Sequence, residues 1–187
     1  MSSDASGTDG GPEPGALLAF ADRLLSAHEV ETPVSGEIRQ YVTFWLREEE
    51  FAIPILCCRE ILKPGAVTRI PEAPAKVRGV VNLRGKIVPV LDVRLCLGLA
   101  PAVVTAKTRL IVVDVAGRLF ALMADRVARI LKLATSQMGA PPDQGGLPYL
   151  AGMAQTDQGT IRVLDTEQMV LGSPGLRPST DKERPHG

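Results

Sequence analysis

The side chains able to do chemistry are few and poorly spaced for it. The 187-residue chain has two histidines, His28 near the N-terminus and His186 as the penultimate residue. A Ser–His–Asp or Cys–His arrangement needs an imidazole held rigidly by the fold, and the central body supplies none. Histidine-ligated zinc and iron sites fail for the same reason. The three cysteines, Cys57, Cys58 and Cys96, contain no Cys-x-x-Cys, so neither a disulfide framework nor a zinc ribbon is expected. Cys57-Cys58 is a vicinal pair with Arg59 beside it, a setting that favours a thiolate, whereas a buried thiol is inert. No G-x-x-x-x-G-K-[ST] or G-x-G-x-x-G loop occurs to cradle a phosphate. Asp92, Asp114, Asp125 and Asp165 leave an acid–base pair formally open, but such acids are commonest at turns and caps. The residues point away from catalysis and require no cofactor.

Charge narrows the partners. The 21 Lys and Arg cancel the 21 Asp and Glu, whereas a nucleic-acid-binding chain carries a basic excess. The local exception is Lys76, Arg78, Arg84, Lys86 and Arg94, which form a basic rim with Asp92 as the one nearby counter-charge. A small barrel binding RNA or single-stranded DNA along that rim is the rival reading, though it lacks aromatic side chains for base stacking. Taken by itself, Arg84 reads as part of a solvated basic turn.

The elements that must position these residues are short. With 45% hydrophobic residues the chain can build a core. Residues 1–15 are Ser, Gly, Pro and acid, and are expected to be disordered. Leu17, Leu18, Ala21, Leu24, Leu25 and His28 fall at helical spacing, predicting an amphipathic helix over about 16–28 within an N-terminal extension of 1–37. Residues 173–187 are expected to be a disordered tail. Between them, β-like runs flank turn signals: Tyr41–Leu46 and Phe51–Ile55 around Arg47-Glu48-Glu49-Glu50, Val77–Leu83 and Lys86–Leu91 around Arg84-Gly85, Leu110–Val115 and Arg118–Ala124 around Ala116-Gly117. Val127–Leu133 follows, then Leu150–Gln155 and Thr160–Leu164 around Asp157-Gln158-Gly159. Pro54 suits a first helical position, leaving Ile55–Leu62 open between one helical turn and a strand. Asp92 and Asp165 read as N-caps of short helices, Val93–Leu97 and Thr166–Leu171. The joint Ala100–Lys107 divides the body into two similar halves, each several strands followed by a short helix. A mainly β fold of duplicated small barrels follows, the first over about 38–104 and the second over about 105–172. No apolar run approaches the ~20 residues that span a bilayer, and the acidic start is the reverse of a signal peptide. The chain reads as cytoplasmic, without membrane insertion.

The densest segment is Val77-Arg78-Gly79-Val80-Val81-Asn82-Leu83-Arg84-Gly85-Lys86-Ile87-Val88-Pro89-Val90-Leu91-Asp92. Pro89 lacks a ladder donor, so its strand is an edge there or carries a bulge, and Gly79 suggests a bulge or a close backbone approach. This segment resembles the signature of the CheW family, the adaptors that couple chemoreceptors to the CheA histidine kinase. Tyr41–Phe44, Phe51–Pro54, Cys58-Arg59-Glu60-Ile61 and Val67–Pro71 with Pro74 resemble the family upstream. Val112–Gly117, Met123–Val127, Tyr149–Met153 and Arg162–Asp165 do so downstream, and the resemblance covers 41–171.

The resemblance implies two intertwined, SH3-like, five-stranded barrels and no catalysis. It implies as partners the regulatory domain of a CheA-type kinase and the cytoplasmic hairpin tip of chemoreceptors, in arrays at the inner membrane. Glu60 and Arg84 match charged positions of the partner-facing surface, and Cys58 matches an adjacent, usually aliphatic one. Asn82 and Gly85 shape the turn that presents Arg84, while Gly79, Pro89 and Asp92 are structural. Glu60 is expected to pair with Arg84 across the surface. The long leader departs from a minimal member and raises a pilus or gliding pathway as an alternative to flagellar chemotaxis.

Overall fold

The computed structural model describes residues 36–141 and 147–172. The expected leader, its helix at 16–28 and the tail at 173–187 lie outside the described residues. Eleven strands follow in chain order: β1 Ile38–Leu46, β2 Glu49–Pro54, β3 Cys58–Leu62, β4 Val77–Leu83, β5 Lys86–Asp92, β6 Arg109–Val115, β7 Arg118–Ala124, β8 Arg126–Ala134, β9 Met138–Gly139, β10 Leu150–Thr156 and β11 Gly159–Leu164. Helix α1 is Val93–Cys96 and α2 is Thr166–Leu171.

Each expected hairpin forms. The first turn is tighter than expected, because Leu46 already pairs with Glu49 and leaves Arg47 and Glu48 as the turn. Glu49 and Glu50 therefore belong to β2, and Glu50 is buried. The open question after Pro54 resolves into both alternatives in series: a single 3-10 turn at Ile55–Cys57, then β3. Asp92 and Asp165 are N-caps, their carboxylates accepting from the backbone N–H of Arg94 and Gln168.

The strands assemble into two sheets, ordered β8-β1-β2-β11-β10-β9 and β3-β6-β7-β5-β4. Barrels running over 38–104 and 105–172 do not describe these sheets. Each half of the chain gives its first hairpin (β1–β2 or β6–β7) to one sheet and its last strands to the other, as the intertwined resemblance implied. The junctions are parallel, β11 on β2 and β5 on β7. One sheet has six strands rather than five because two-residue β9 adds to the edge of β10.

Burial follows from this exchange. In β1 and β6 successive side chains point to opposite faces, and both faces are covered. Val42, Phe44 and Leu46 from β1 meet Ile111, Val113 and Val115 from β6 in a central core shared by the two sheets. The alternate positions fill smaller cores within each sheet: Tyr41, Ala52, Leu133, Ala154, Ile161 and Val163 in one, Val81, Val88, Val90, Leu110, Ala121 and Met123 in the other. Three cores for two sheets is the burial pattern of two curled sheets packed side by side.

Gly79 and Pro89 serve this frame. Register shifts between Val77 and Gly79, so a bulge is present, and Gly79 has φ +146°. A Cβ there would lie 2.2 Å from the Thr68 carbonyl oxygen, because Thr68 bridges Val80 through two backbone hydrogen bonds of 2.8 and 2.9 Å. Both readings of Gly79 hold. Pro89 lies in an internal strand, but pairing with β7 begins one residue later at Val90, so its missing N–H leaves no ladder bond unmade.

Candidate functional site

Strand β4 ends in a two-residue turn whose tip is Arg84. Leu83 pairs with Lys86, and Arg84 and Gly85 have φ +52° and +83°, the double positive φ of a type I′ hairpin turn. Gly85 was the residue expected to supply positive φ, yet Arg84 supplies it too. A non-glycine residue in that region costs about 1 kcal/mol. Asn82 offsets part of this, its Oδ1 accepting from the Gly85 N–H at 2.8 Å. Ala116-Gly117 repeats the same φ pair, so the turn type is general and the guanidinium at its tip is the particular feature.

Strands β3 and β4 are the two ends of their sheet's order, yet Arg84 Nη2 donates to Glu60 Oε2 at 3.0 Å. The sheet curls until its edges face each other, and the ion pair spans the seam. The Arg84 side chain is 81% exposed and that of Glu60 is 24% exposed. An irregularity between Cys58 and Glu60 in the pairing with β6 sets these two residues differently. Cys58 packs against the central core, while Glu60 turns to the rim. Four of the expected surface residues, Glu60, Asn82, Arg84 and Gly85, therefore converge on one hairpin tip, and Cys58 sits behind it.

Sequence reading missed two strongly exposed apolar side chains. Ile87, paired with Asn82 across the hairpin, is 73% exposed, and Leu56 in the 3-10 turn is 89% exposed. The signal for Ile87 was its parity: Val88 and Val90 point inward, so Ile87 had to point out.

The basic rim, by contrast, is not a run of free cations. Arg94 is buried and binds Asp125, with Nε to Oδ1 at 2.8 Å. Arg78 Nε lies 3.3 Å from Asp92 and its Nη2 donates to the Ala102 carbonyl. Lys76 donates to the Tyr149 hydroxyl at 3.0 Å and stands 5.2 Å from that ring's centre. Asp92 is thus not the rim's one counter-charge: Glu60 and Asp125 arrive from distant parts of the chain, and the Tyr149 hydroxyl gives Lys76 a neutral acceptor. Burial pushes the Asp92 carboxyl above its ordinary value, only partly countered by Arg78. Burial also presses on Asp125, but the Arg94 guanidinium and the Arg47 N–H outweigh it and hold the carboxyl below the usual range.

The four body aspartates do not converge as acid and base. Asp92 and Asp165 cap helices, Asp125 holds Arg94, and Asp114 accepts from Arg59 at 2.8 Å. The cysteines do converge. Cys57 and Cys58 both direct Sγ at the Pro54 carbonyl oxygen, at 3.0 and 3.6 Å. A hydrogen bond from the Cys58 thiol lowers the Cys57 thiol to about 7 and raises Cys58. Among the described residues no group of three or more His, Cys, Asp or Glu is placed to hold a metal ion, and no helix is long and apolar enough to cross a membrane.

The model of the CheW-like domain matches residues 40–172. The chain is 32% identical to the chemotaxis protein CheW of Helicobacter pylori, over 72% of this chain and 82% of that protein. It is 35% identical to the chemotaxis protein CheW of Rhizobium meliloti, over 56% and 68%. Among solved structures, the scaffolding protein TtCheW of Thermoanaerobacter tengcongensis superposes with a TM-score of 0.68 at 28% identity, over 72% of this chain and 93% of that one. With a curled two-sheet fold, a hairpin signature in its matching place and a family model spanning most of its length, the chain belongs to the CheW family.

Proposed function

We propose that the chain is a non-catalytic adaptor that couples chemoreceptors to a CheA-type histidine kinase and so controls the kinase within a cytoplasmic array at the inner membrane. Relatives named as chemotaxis proteins and a structural neighbour titled a scaffolding protein support this reading. The observation that carries it is the Arg84–Glu60 pair. An exposed pair contributes at most about 1 kcal/mol to stability, so the fold has little use for it. Held on a braced turn, the guanidinium keeps donors free for a carboxylate or backbone carbonyls of a partner. Glu60 orients it until the partner takes over, and exposed Ile87 adds apolar surface beside it.

In this reading Cys58, Glu60, Asn82, Arg84 and Gly85 form the surface for the kinase's regulatory domain and the receptor hairpin tip. Gly79, Pro89 and Asp92 hold the hairpin that presents it. The test is co-elution on size exclusion of the full chain with the regulatory domain of its own organism's CheA-type kinase. A shared peak is the expected result, and separate peaks from well-folded partners would overturn the proposal.

A further inference from the structure

Among the described residues, seven arginines each face a carboxylate oxygen at 3.4 Å or less. Arg109 and Arg126 belong to none of these pairs. With Lys107 and the apolar Val127 they line one open cleft of about 310 Å³, and no acidic side chain of the described residues lines it with them. The topology brings them together: Arg109 opens β6 and pairs with Ala124 at the end of β7, and Arg126 opens β8 just beyond.

Each cation is held by neutral partners. Arg109 Nη1 donates to the carbonyl oxygens of Ala106 and Thr108 at 2.8 and 2.7 Å, and no described residue accepts from its Nε or Nη2. Arg126 lies over the Trp45 ring, 4.3 Å from its centre, a contact that fixes the guanidinium without neutralising it. Lys107 sits in a braced turn. Its N–H donates to Thr105 Oγ1 at 3.2 Å, and the Thr105 N–H donates to Oγ1 of buried Thr108 at 2.9 Å. The backbone beneath the three charges is therefore fixed, while the charges themselves meet no acid. Like charges gathered in this way repel one another, and a cleft of one sign raises the local concentration of the opposite ion.

We propose that this cleft is a binding site for a polyphosphate group. A guanidinium presents forked donors to phosphate oxygens, and an ammonium adds a compact point charge. Two linked phosphates carry enough negative charge to neutralise three cations, which one carboxylate does not. The cleft is open to solvent, so binding weakens as salt rises. None of its residues belongs to the adaptor surface proposed above, and the inference stands apart from that reading.

Isothermal titration of the full chain with sodium pyrophosphate, with ATP in the absence of magnesium and with inorganic phosphate, all at one ionic strength, tests it. Pyrophosphate is expected to saturate one site, about tenfold more tightly than inorganic phosphate. Arg109→Gln should weaken it about tenfold and Lys107→Glu by more, with folding checked by circular dichroism. Lys63→Glu makes the same change in net charge at another exposed lysine and should leave the affinity within about twofold. Equal affinity for pyrophosphate and ATP upholds the site with the phosphate chain alone as ligand, and tighter ATP upholds it as a nucleotide site. Absence of saturation, an equal loss in Lys63→Glu and Lys107→Glu, or displacement of pyrophosphate by a tighter-binding single-stranded oligonucleotide would each overturn the proposal.

Discussion

The hairpins β4–β5 and β10–β11 hold corresponding places in the two sheets, each lying parallel to the second strand of the other half's first hairpin and each running into a capped helix. Both begin with an irregularity at a glycine, Gly79 or Gly152. They differ in how tightly they are braced. Gly79 stands against a backbone oxygen that cannot move away, whereas Gly152 faces the flexible end of Met138 and, less closely, the Gly139 carbonyl. Asp92 caps α1 from a buried position and contacts Arg78, whereas Asp165 caps α2 near the surface. The turn of β4–β5 carries Arg84 to Glu60 as an ion pair, whereas that of β10–β11 carries the neutral Gln158 to Arg129. One framework is used twice, and the copy that presents the charged tip is the rigid one. Holding a guanidinium still removes part of the ordering cost that a partner would otherwise meet on binding.

The comparison breaks most visibly at the glycines. Gly79→Ala is expected to cost about 3 kcal/mol, since the added methyl meets backbone at a positive φ, and Gly152→Ala about 1 kcal/mol. Urea midpoints of the two variants check this, and equal losses would mean that the hairpins are equally braced. The caps come next. Asp165→Ala should cost about 1 kcal/mol as a plain cap loss. Asp92→Ala should cost about 2 kcal/mol, because it also leaves Arg78 without its carboxylate; thermal denaturation measures the gap. A smaller effect distinguishes Asp92→Asn, which can still cap. Burial raises the folded-state value of Asp92, so the native state binds the proton more readily than the unfolded chain. Stability from that proton is present at acid pH and lost as pH rises through the folded value. Wild type should therefore gain on Asp92→Asn as pH falls from 7 towards the ordinary aspartate range. Melting curves over that range that stay parallel would place Asp92 closer to solvent than its burial indicates.

How far this could be read in advance depends on the range of the interactions. The hairpins, their two-residue turns and both aspartate caps are local, set by glycines and alternation over a few residues, and they were legible. The pairing of β1 with β8 and of β3 with β6 was not, because period-2 patterning tells a strand which faces are buried and not which strand will bury them. The halves are similar enough that each could have paired within itself; only the intertwined resemblance pointed across the joint. Glu50 looked like a turn acid because four charged residues run together, but Leu46 pairs with Glu49 rather than Phe51, and those two residues of tightening put Glu50 in a buried strand. Arg94 looked like a surface cation because Asp125 is 31 residues away. The Arg84–Glu60 pair, 24 residues apart, was anticipated from the resemblance, since no local pattern joins a strand edge to a turn across a closed seam.

Arg84→Ala has the smallest expected effect on the fold and the largest on coupling, which makes it the direct test. The melting temperature and the co-elution with the kinase regulatory domain should be measured on one preparation of the full chain. The expected result is a melting temperature within about 1 kcal/mol of wild type in stability terms, together with loss of the shared peak. A clear drop in melting temperature with the complex intact would contradict it, and would move Arg84 from the binding surface into the framework.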